Sequence, residues 1–396
     1  MTSSVSSSPI LPVYSPFPVA FVRGEGCWVY DIQNRAYLDC GSGVAVNALG
    51  HHHPALMKAL YNQAEKVWHI SNWYQSIGQE NLGKILIKNS FADYVFFGNS
   101  GAEAIECGIK IVRSFFRSNG QPQRYKIIAA KNSFHGRTFA ALSACGKGGF
   151  EPMLPGFEQV LYGDIDALKS ALNNETAAIL LEPIQGEGGI NMPPPGYFKA
   201  VRDLCDENNI LLFLDEIQTG IGRTGHLFAY EGENIQPDIL VSAKGLGGGF
   251  PIGACLATKE AARGMTTGTH GSTFGGNPLA TAVGAAVLHE ILKPDFLVNV
   301  IEMGSFFIQG MRSLVASYPQ VFSATRGAGL MLGLVCVPDN RLVAEMLLAE
   351  GLLVIPAGGG VIRLLPPLII NKKEVEDALM KLERVAVALE ARVSYA

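Results

Sequence analysis

Between about Tyr94 and Thr258 the chain alternates short apolar runs with helix-length patterns, and that alternation admits few folds. Apolar runs buried on both faces belong to a parallel sheet whose crossover helices cover it on either side. Four of these runs end in residues with chemistry to offer. Tyr94-Val95-Phe96-Phe97 leads into Gly98-Asn99-Ser100-Gly101, and Ile127-Ile128-Ala129 into Asn132-Ser133-Phe134-His135. Ile210 to Leu214 runs into Asp215, and Ile239-Leu240-Val241 toward Lys244. In open α/β sheets ligands sit outside the carboxyl ends of the strands, so the four ends are expected to share one crevice.

The flanking segments read differently. Val29-Tyr30-Asp31 and Ala36-Tyr37-Leu38-Asp39 flank Gln33-Asn34-Arg35 as the arms of a hairpin. Asn277 as N-cap and Pro278 at the first helical position open a helix, after which long amphipathic segments dominate. The last of them, residues 372–392, places Val375, Ala378, Leu379, Leu382, Val385 and Leu389 on one helical face. A chain of 396 residues exceeds one ordinary core. The expected class is α/β: a large domain, residues 46–288, around a mostly parallel sheet, and a smaller α+β domain from residues 1–45 and 289–396.

With 31 basic and 35 acidic residues the net charge is −4, so no basic field exists to hold nucleic acid or an anionic membrane. No basic residue precedes Arg23 and no apolar signal region follows the start, which reads as a polar tail over residues 1–9. The uncharged stretch Gly271–Leu288 is interrupted by Gly275-Gly276-Asn277-Pro278 and is too short to span a bilayer. Seven scattered cysteines without a Cys-x-x-Cys pair fit reduced core thiols of a cytoplasmic protein. Three consecutive imidazoles, His51-His52-His53, cannot all face one ion, so no metal is expected there.

Lys244 precedes Gly245-Leu246-Gly247-Gly248-Gly249, which draws its ammonium into a cleft beside flexible backbone. Alone it is equally a nucleotide-turn or surface lysine; its place behind Asp215 favours chemistry. Asp215 stands at the edge of a dry sheet, where an unpaired carboxylate is costly, and needs a cationic partner such as a protonated pyridine nitrogen. The bland alternative is an N-cap or a structural ion pair. Gly98 to Glu103 joins a strand to a helix running through Ile105, Ile109 and Val112, whose free amides form a phosphate cup unless this is an ordinary turn. Phe134-His135-Gly136-Arg137 offers an aromatic face beside a guanidinium, suited to a flat heteroaromatic and a carboxylate. Arg363, set in the apolar run Val361-Ile362-Arg363-Leu364, needs an anion, and Glu187 in Gln185-Gly186-Glu187-Gly188-Gly189 is the candidate for a gating pair.

These segments recur in a fixed order with Ala48-Leu49-Gly50-His51-His52-His53-Pro54, Trp68-His69-Ile70-Ser71-Asn72, Leu181-Glu182-Pro183-Ile184-Gln185, Asp215-Glu216-Ile217-Gln218-Thr219-Gly220, Ser242-Ala243-Lys244 and Gly271-Ser272-Thr273-Phe274. Over nearly the whole chain this set resembles the class III aminotransferases of pyridoxal-phosphate (PLP) fold type I, most closely their acetylornithine branch. The resemblance implies that Lys244 carries pyridoxal 5'-phosphate and that Asp215 pairs with its ring nitrogen. Gln218 is implied at the ring 3-hydroxyl, Phe134 on one ring face, and the amides of Gly101 and Ala102 at the phosphate. Thr273 is implied to reach across from a second subunit, making a homodimer with shared active sites. Arg137 and Ser272 match substrate-binding positions, and Glu187 with Arg363 matches the pair that admits both an amino donor and a dicarboxylic acceptor. The implied reaction is a ping-pong transfer from N-acetylornithine to 2-oxoglutarate, as in arginine biosynthesis. Donors of the same class are ornithine, succinylornithine, succinyl-diaminopimelate and 4-aminobutyrate, and a glutamate-semialdehyde-type aminomutase would reuse the same lysine and aspartate. The sequence departs from the family pattern at Ala102, where threonine is usual, so a hydroxyl contact to phosphate is lost there. Ala104-Ile105-Glu106-Cys107 also departs from the usual Ala-Asn-Glu.

Overall fold

A computed structural model describes residues 9–394, so most of the expected polar tail lies outside the described residues. The N-terminal hairpin is present: β1 (Phe21–Glu25), β2 (Trp28–Asp31) and β3 (Ala36–Asp39) pair antiparallel in order. The central sheet contains β4 (Tyr94–Gly98), β5 (Lys126–Ala130), β6 (Phe157–Val160), β7 (Thr176–Leu181), β8 (Leu211–Asp215), β9 (Ile239–Ser242) and β10 (Gly253–Ala257). Its order is β4-β10-β9-β8-β7-β5-β6, and only β10 runs against its neighbours. Every residue of β7, β8 and β9 is buried, which is why these strands read as continuous apolar runs.

A third sheet holds β11 (Phe322–Ala328), β12 (Met331–Cys336), β14 (Ile355–Ala357) and β15 (Val361–Leu364), while β13 (Leu352–Leu353) pairs parallel with β3. Both ends of the chain thus share one sheet. The C-terminal helix Lys372–Ser394 buries Val375, Ala378, Leu382, Val385 and Leu389, and its Glu374 accepts a hydrogen bond from the Trp28 indole at 3.0 Å. The two regions meet at Arg223, fully buried, whose guanidinium donates to the carbonyls of Leu330 (3.1 Å) and Pro366 (2.5 Å).

The helix Gly101–Ser118 lies on the central sheet, capped by the Ser100 hydroxyl, which accepts from the Glu103 amide at 3.2 Å. It can approach β8 only because residue 108 is glycine: a Cβ there would lie 2.2 Å from the Phe213 ring. A second close approach sets the start of that helix. A Cβ on Gly253, the first residue of β10, would lie 2.1 Å from the Ser100 carbonyl oxygen, and backbone cannot swing aside as a side-chain end can. Gly253→Ala is therefore expected to cost about 1–3 kcal/mol of unfolding free energy through overpacking. It should also shift the helix start, which denaturant unfolding and phosphate-ester affinity would both register.

Candidate active site

The carboxyl ends of β4, β5, β7, β8 and β9, with the residues entering the antiparallel β10, surround a cavity of about 450 Å³. Gly101, Ala102, Phe134, Arg137, Glu187, Asp215, Gln218 and Lys244 all line it, so eight of the site residues read from sequence converge as the strand ends require.

Lys244 follows Ala243 at the end of β9 and takes a φ of 40°, a left-handed conformation that a lysine adopts only when its surroundings impose it. Burial disfavours its ammonium and pushes its pKa down to about 8; the carboxylates of Glu187, Asp215 and Glu182 oppose that shift and Arg363 adds to it. Its amine is thus available as a base or nucleophile nearer neutrality than an exposed lysine. The sign for stability follows. Between pH 8 and the ordinary 10.5 the unfolded chain binds the proton that the fold rejects, so free Lys244 makes stability rise with pH through that window. Compared with Lys244→Met, the wild-type unfolding free energy should climb between those pH values, and parallel curves would refute the assignment.

Asp215 is almost fully buried and uses both oxygens. Oδ1 accepts from the Ile217 amide at 3.0 Å, and Oδ2 lies 2.7 Å from His135 Nδ1. Asp215 is therefore paired with a histidine for which sequence reading gives no role. Because a carboxylate only accepts, Nδ1 carries the proton, and His135 Nε2 is buried with no partner. Glu182 was also missed. It directly follows β7, whose unbroken apolar run was the available signal. Its carboxylate accepts from the amides of Phe134 (3.1 Å) and Gly186 (3.3 Å), and burial pushes its pKa upward against the pull of His135.

On the β4 side, Gly101 and Ala102 line the cavity, and as first-turn residues their amides have no carbonyl of their own helix to donate to. On the β5 side, Phe134 is flanked by two cations, Arg137 Cζ at 5.4 Å and Lys147 Nζ at 5.2 Å from the ring centroid. Arg137 is exposed and makes no ion pair among the described residues. Arg363 does not itself line the cavity but forms a two-pronged pair with Glu187, which does: Nη1 to Oε1 at 2.6 Å and Nη2 to Oε2 at 2.9 Å. Its Nη1 also donates to Gln218 Oε1 at 3.2 Å. Burial works against ionised Glu187, but the guanidinium outweighs it and holds the carboxyl below its usual range.

Ser272 and Thr273 do not line this cavity. The Ser272 hydroxyl accepts from the Asn99 side chain at 3.2 Å and from the Gly275 amide at 2.9 Å, and Thr273 is exposed. His51, from the triple-histidine run, pairs its Nε2 with Asp39 at 2.8 Å, a carboxylate twelve positions earlier. Among the described residues no cluster of three or more metal-ligating side chains occurs, and no helix is long and apolar enough to cross a membrane.

The family model for aminotransferase class-III matches residues 11–386. The chain is 51% identical over 392 residues to an acetylornithine aminotransferase of Agrobacterium fabrum, covering 98% of each chain. It is 50% identical over 387 residues to that of Brucella melitensis, covering 97% of this chain and 96% of the other. Among solved structures it resembles an ornithine aminotransferase from Toxoplasma gondii, with a TM-score of 0.93 at 34% identity over 97% of this chain and 94% of that one. An N-acetylornithine aminotransferase from Stenotrophomonas maltophilia gives a TM-score of 0.85 at 39% identity, over 95% and 98%.

Proposed function

The chain belongs to the class III aminotransferases, and from that membership we propose that it transfers the terminal amino group of N-acetylornithine to 2-oxoglutarate, a step of arginine biosynthesis. The observation that carries this reading is the convergence on one cavity of a depressed lysine amine, a held carboxylate and two free helix amides. These groups fit pyridoxal phosphate. The Gly101 and Ala102 amides offer a phosphate cup without a cationic side chain, and Gly253 clears the backbone that shapes it. Asp215, fixed by His135 and the Ile217 amide, supplies the counter-charge for a ring nitrogen; Gln218 stands near for a ring hydroxyl, and Phe134 offers a flat face. When bound, the cofactor serves as the electron sink for the substrate carbon that gives up its proton.

The chain's own groups do the remainder. Lys244 holds the cofactor, then as a free amine its Nζ takes the proton from the donor carbon and returns it. Arg137, exposed and without a carboxylate partner, takes the donor's α-carboxylate by a two-pronged bond. Arg363 is 1% exposed while Glu187 is 31% exposed, so Glu187 is the partner free to swing away. Closed, the pair neutralises the guanidinium for a donor with one carboxylate; open, it presents Arg363 to the second carboxylate of a dicarboxylic acceptor.

We further propose a homodimer in which Thr273, and Ser272 beside it, complete the neighbouring subunit's site. Thr273 lies outside its own cavity beside exposed Trp68, Trp73, Tyr74, Ile77 and Phe274, and Asn72 ties the two segments by donating to the Ser272 and Gly275 carbonyls at 3.0 and 3.2 Å. Large apolar side chains exposed together in this way support a covering partner. Seven buried, unpaired cysteines support a cytoplasmic setting.

The test is to mix the PLP-loaded protein separately with N-acetylornithine and ornithine and follow the visible absorbance of the cofactor as it takes up the amino group. Conversion by N-acetylornithine alone supports the proposal. Conversion by ornithine instead reassigns the donor, and the absence of any cofactor band after loading overturns the reading.

A further inference from the structure

All seven cysteines are buried and free, and five of them, Cys27, Cys40, Cys145, Cys205 and Cys336, have thiols pushed up by that burial. Cys107 and Cys255 differ. Cys107 lies on the helix Gly101–Ser118 and Cys255 in the middle of β10, and both form part of the wall of a second cavity of about 810 Å³. It opens beside β4 and the polar segment that includes Thr258, Thr266 and His270, and shares no lining residue with the cavity around Lys244.

Helix Gly101–Ser118 packs on β10, so Cys107 and Cys255 line the same cavity, with His270 beside them. Lys110 Nζ lies 3.1 Å from His270 Nδ1. An ammonium can only donate, so Nδ1 accepts and the ring proton sits on Nε2, the nitrogen left for Cys107. Phe96 packs on the imidazole with ring centroids 4.6 Å apart and keeps it in place. The neighbouring Cys255 is the largest influence on Cys107; burial opposes it, His270 and Lys110 reinforce it, and the Cys107 thiol is held below its ordinary range. Cys255 is driven the other way and keeps its proton. The two thiols are therefore pushed in opposite directions, the asymmetry that an attacking and a resolving thiol require.

We propose that Cys107 and Cys255 form a modification site for peroxide-class oxidants, separate from the transamination site, with Cys107 the attacking sulfur and Cys255 the resolving one. The Cys107 thiolate attacks one peroxide oxygen, the O–O bond breaks, and hydroxide leaves and is protonated to water. Cys107 is then a sulfenic acid. The Cys255 sulfur attacks it, the S–O bond breaks, a second water leaves with the Cys255 proton, and an S–S bond forms. Two thiols are oxidised and one peroxide is reduced to two waters. Cys107 shares its helix with Gly101 and Ala102, and His270 directly precedes Gly271-Ser272-Thr273, so the product lies next to both elements proposed to hold the phosphate.

The test treats the PLP-loaded wild-type protein with stoichiometric hydrogen peroxide at neutral pH and maps its cysteines by peptide mass spectrometry. A 107–255 linked peptide, two hydrogens lighter and restored by dithiothreitol, with the other five thiols still reduced, is the expected result. Cys255→Ser should stop at a Cys107 sulfenic acid that dimedone traps. Cys107→Ser should consume peroxide at least ~10-fold more slowly than wild type. Oxidation spread evenly over the seven cysteines, an unmodified Cys107 in the folded wild-type protein, or undiminished peroxide consumption by Cys107→Ser would each overturn the proposal, and none depends on the donor specificity.

Discussion

Lys244→Met protein loaded with pyridoxal phosphate is expected to turn over at least ~10³-fold more slowly than wild type, with the cofactor still bound by its phosphate. The loss combines two roles that no neighbour can assume. Methionine matches the length of the stem but has no amine to hold the cofactor, and none to move the proton, a function worth about 10²- to 10⁴-fold by itself. Lys244 is also the one lysine among the residues lining the cavity, and Arg363, a cation that acts on it, is tied to Glu187 and cannot act as a base. Single-turnover absorbance with N-acetylornithine checks this directly, with cofactor content after dialysis as the control. Retention of more than a hundredth of wild-type turnover would remove Lys244 from its role. Lys244→Arg distinguishes charge from chemistry: it keeps a cation at this position but offers no neutral amine, and should be equally inactive.

The parts of this site that could be read from the sequence are those whose environment is written in their immediate neighbours. Asp215 and Lys244 close apolar runs, and a run buried on both faces can only deliver its last residue to a sheet edge. Arg363 is flanked by Val361, Ile362 and Leu364, all fully buried, so an anion had to be found for it, and Glu187 is that anion. What could not be read depends on distances across the fold. His135 meets Asp215 although eighty positions separate them, because β5 and β8 lie on either side of β7 and both end at the same crevice. Gly253 has no local turn to justify it; its constraint is the Ser100 carbonyl on another element. Ser42, Val44 and Ala45 carry φ values of 48°, 65° and 63°, and a valine in that region argues against itself locally, at about 1–2 kcal/mol per residue. The turn is held from outside: Asp39 Oδ1 accepts from the Gly41 and Ser42 amides at 3.0 and 2.8 Å, and His51 secures Oδ2.

Asp215→Asn should lower turnover by about 10²- to 10⁴-fold while leaving the chain folded and the cofactor bound. The amide is nearly the same shape, and its carbonyl can still accept from the Ile217 amide, the bond made by Oδ1 at 3.0 Å. On the other side the change is severe. His135 Nδ1 now donates to Oδ2 at 2.7 Å; an asparagine NH₂ there also donates, so the imidazole must move its proton to Nε2. That nitrogen is buried without a partner, and a proton placed on it has nothing to donate to. The pair therefore loses its negative charge and acquires an unsatisfied donor, and a protonated ring nitrogen loses its counter-charge in the same step. The proposed substrate contacts are Arg137 and Arg363, neither of which is hydrogen-bonded to Asp215, so KM for the donor should change far less than kcat. Steady-state kinetics on the two proteins, with unfolding curves beside them, separates the outcomes. A variant that keeps more than a tenth of wild-type kcat would show that His135, not Asp215, controls the charge at this end of the cavity. A variant that fails to fold would show that the His135–Asp215 pair is structural first, and His135→Asn, which spares the carboxylate, would then decide whether Asp215 acts on the chemistry at all.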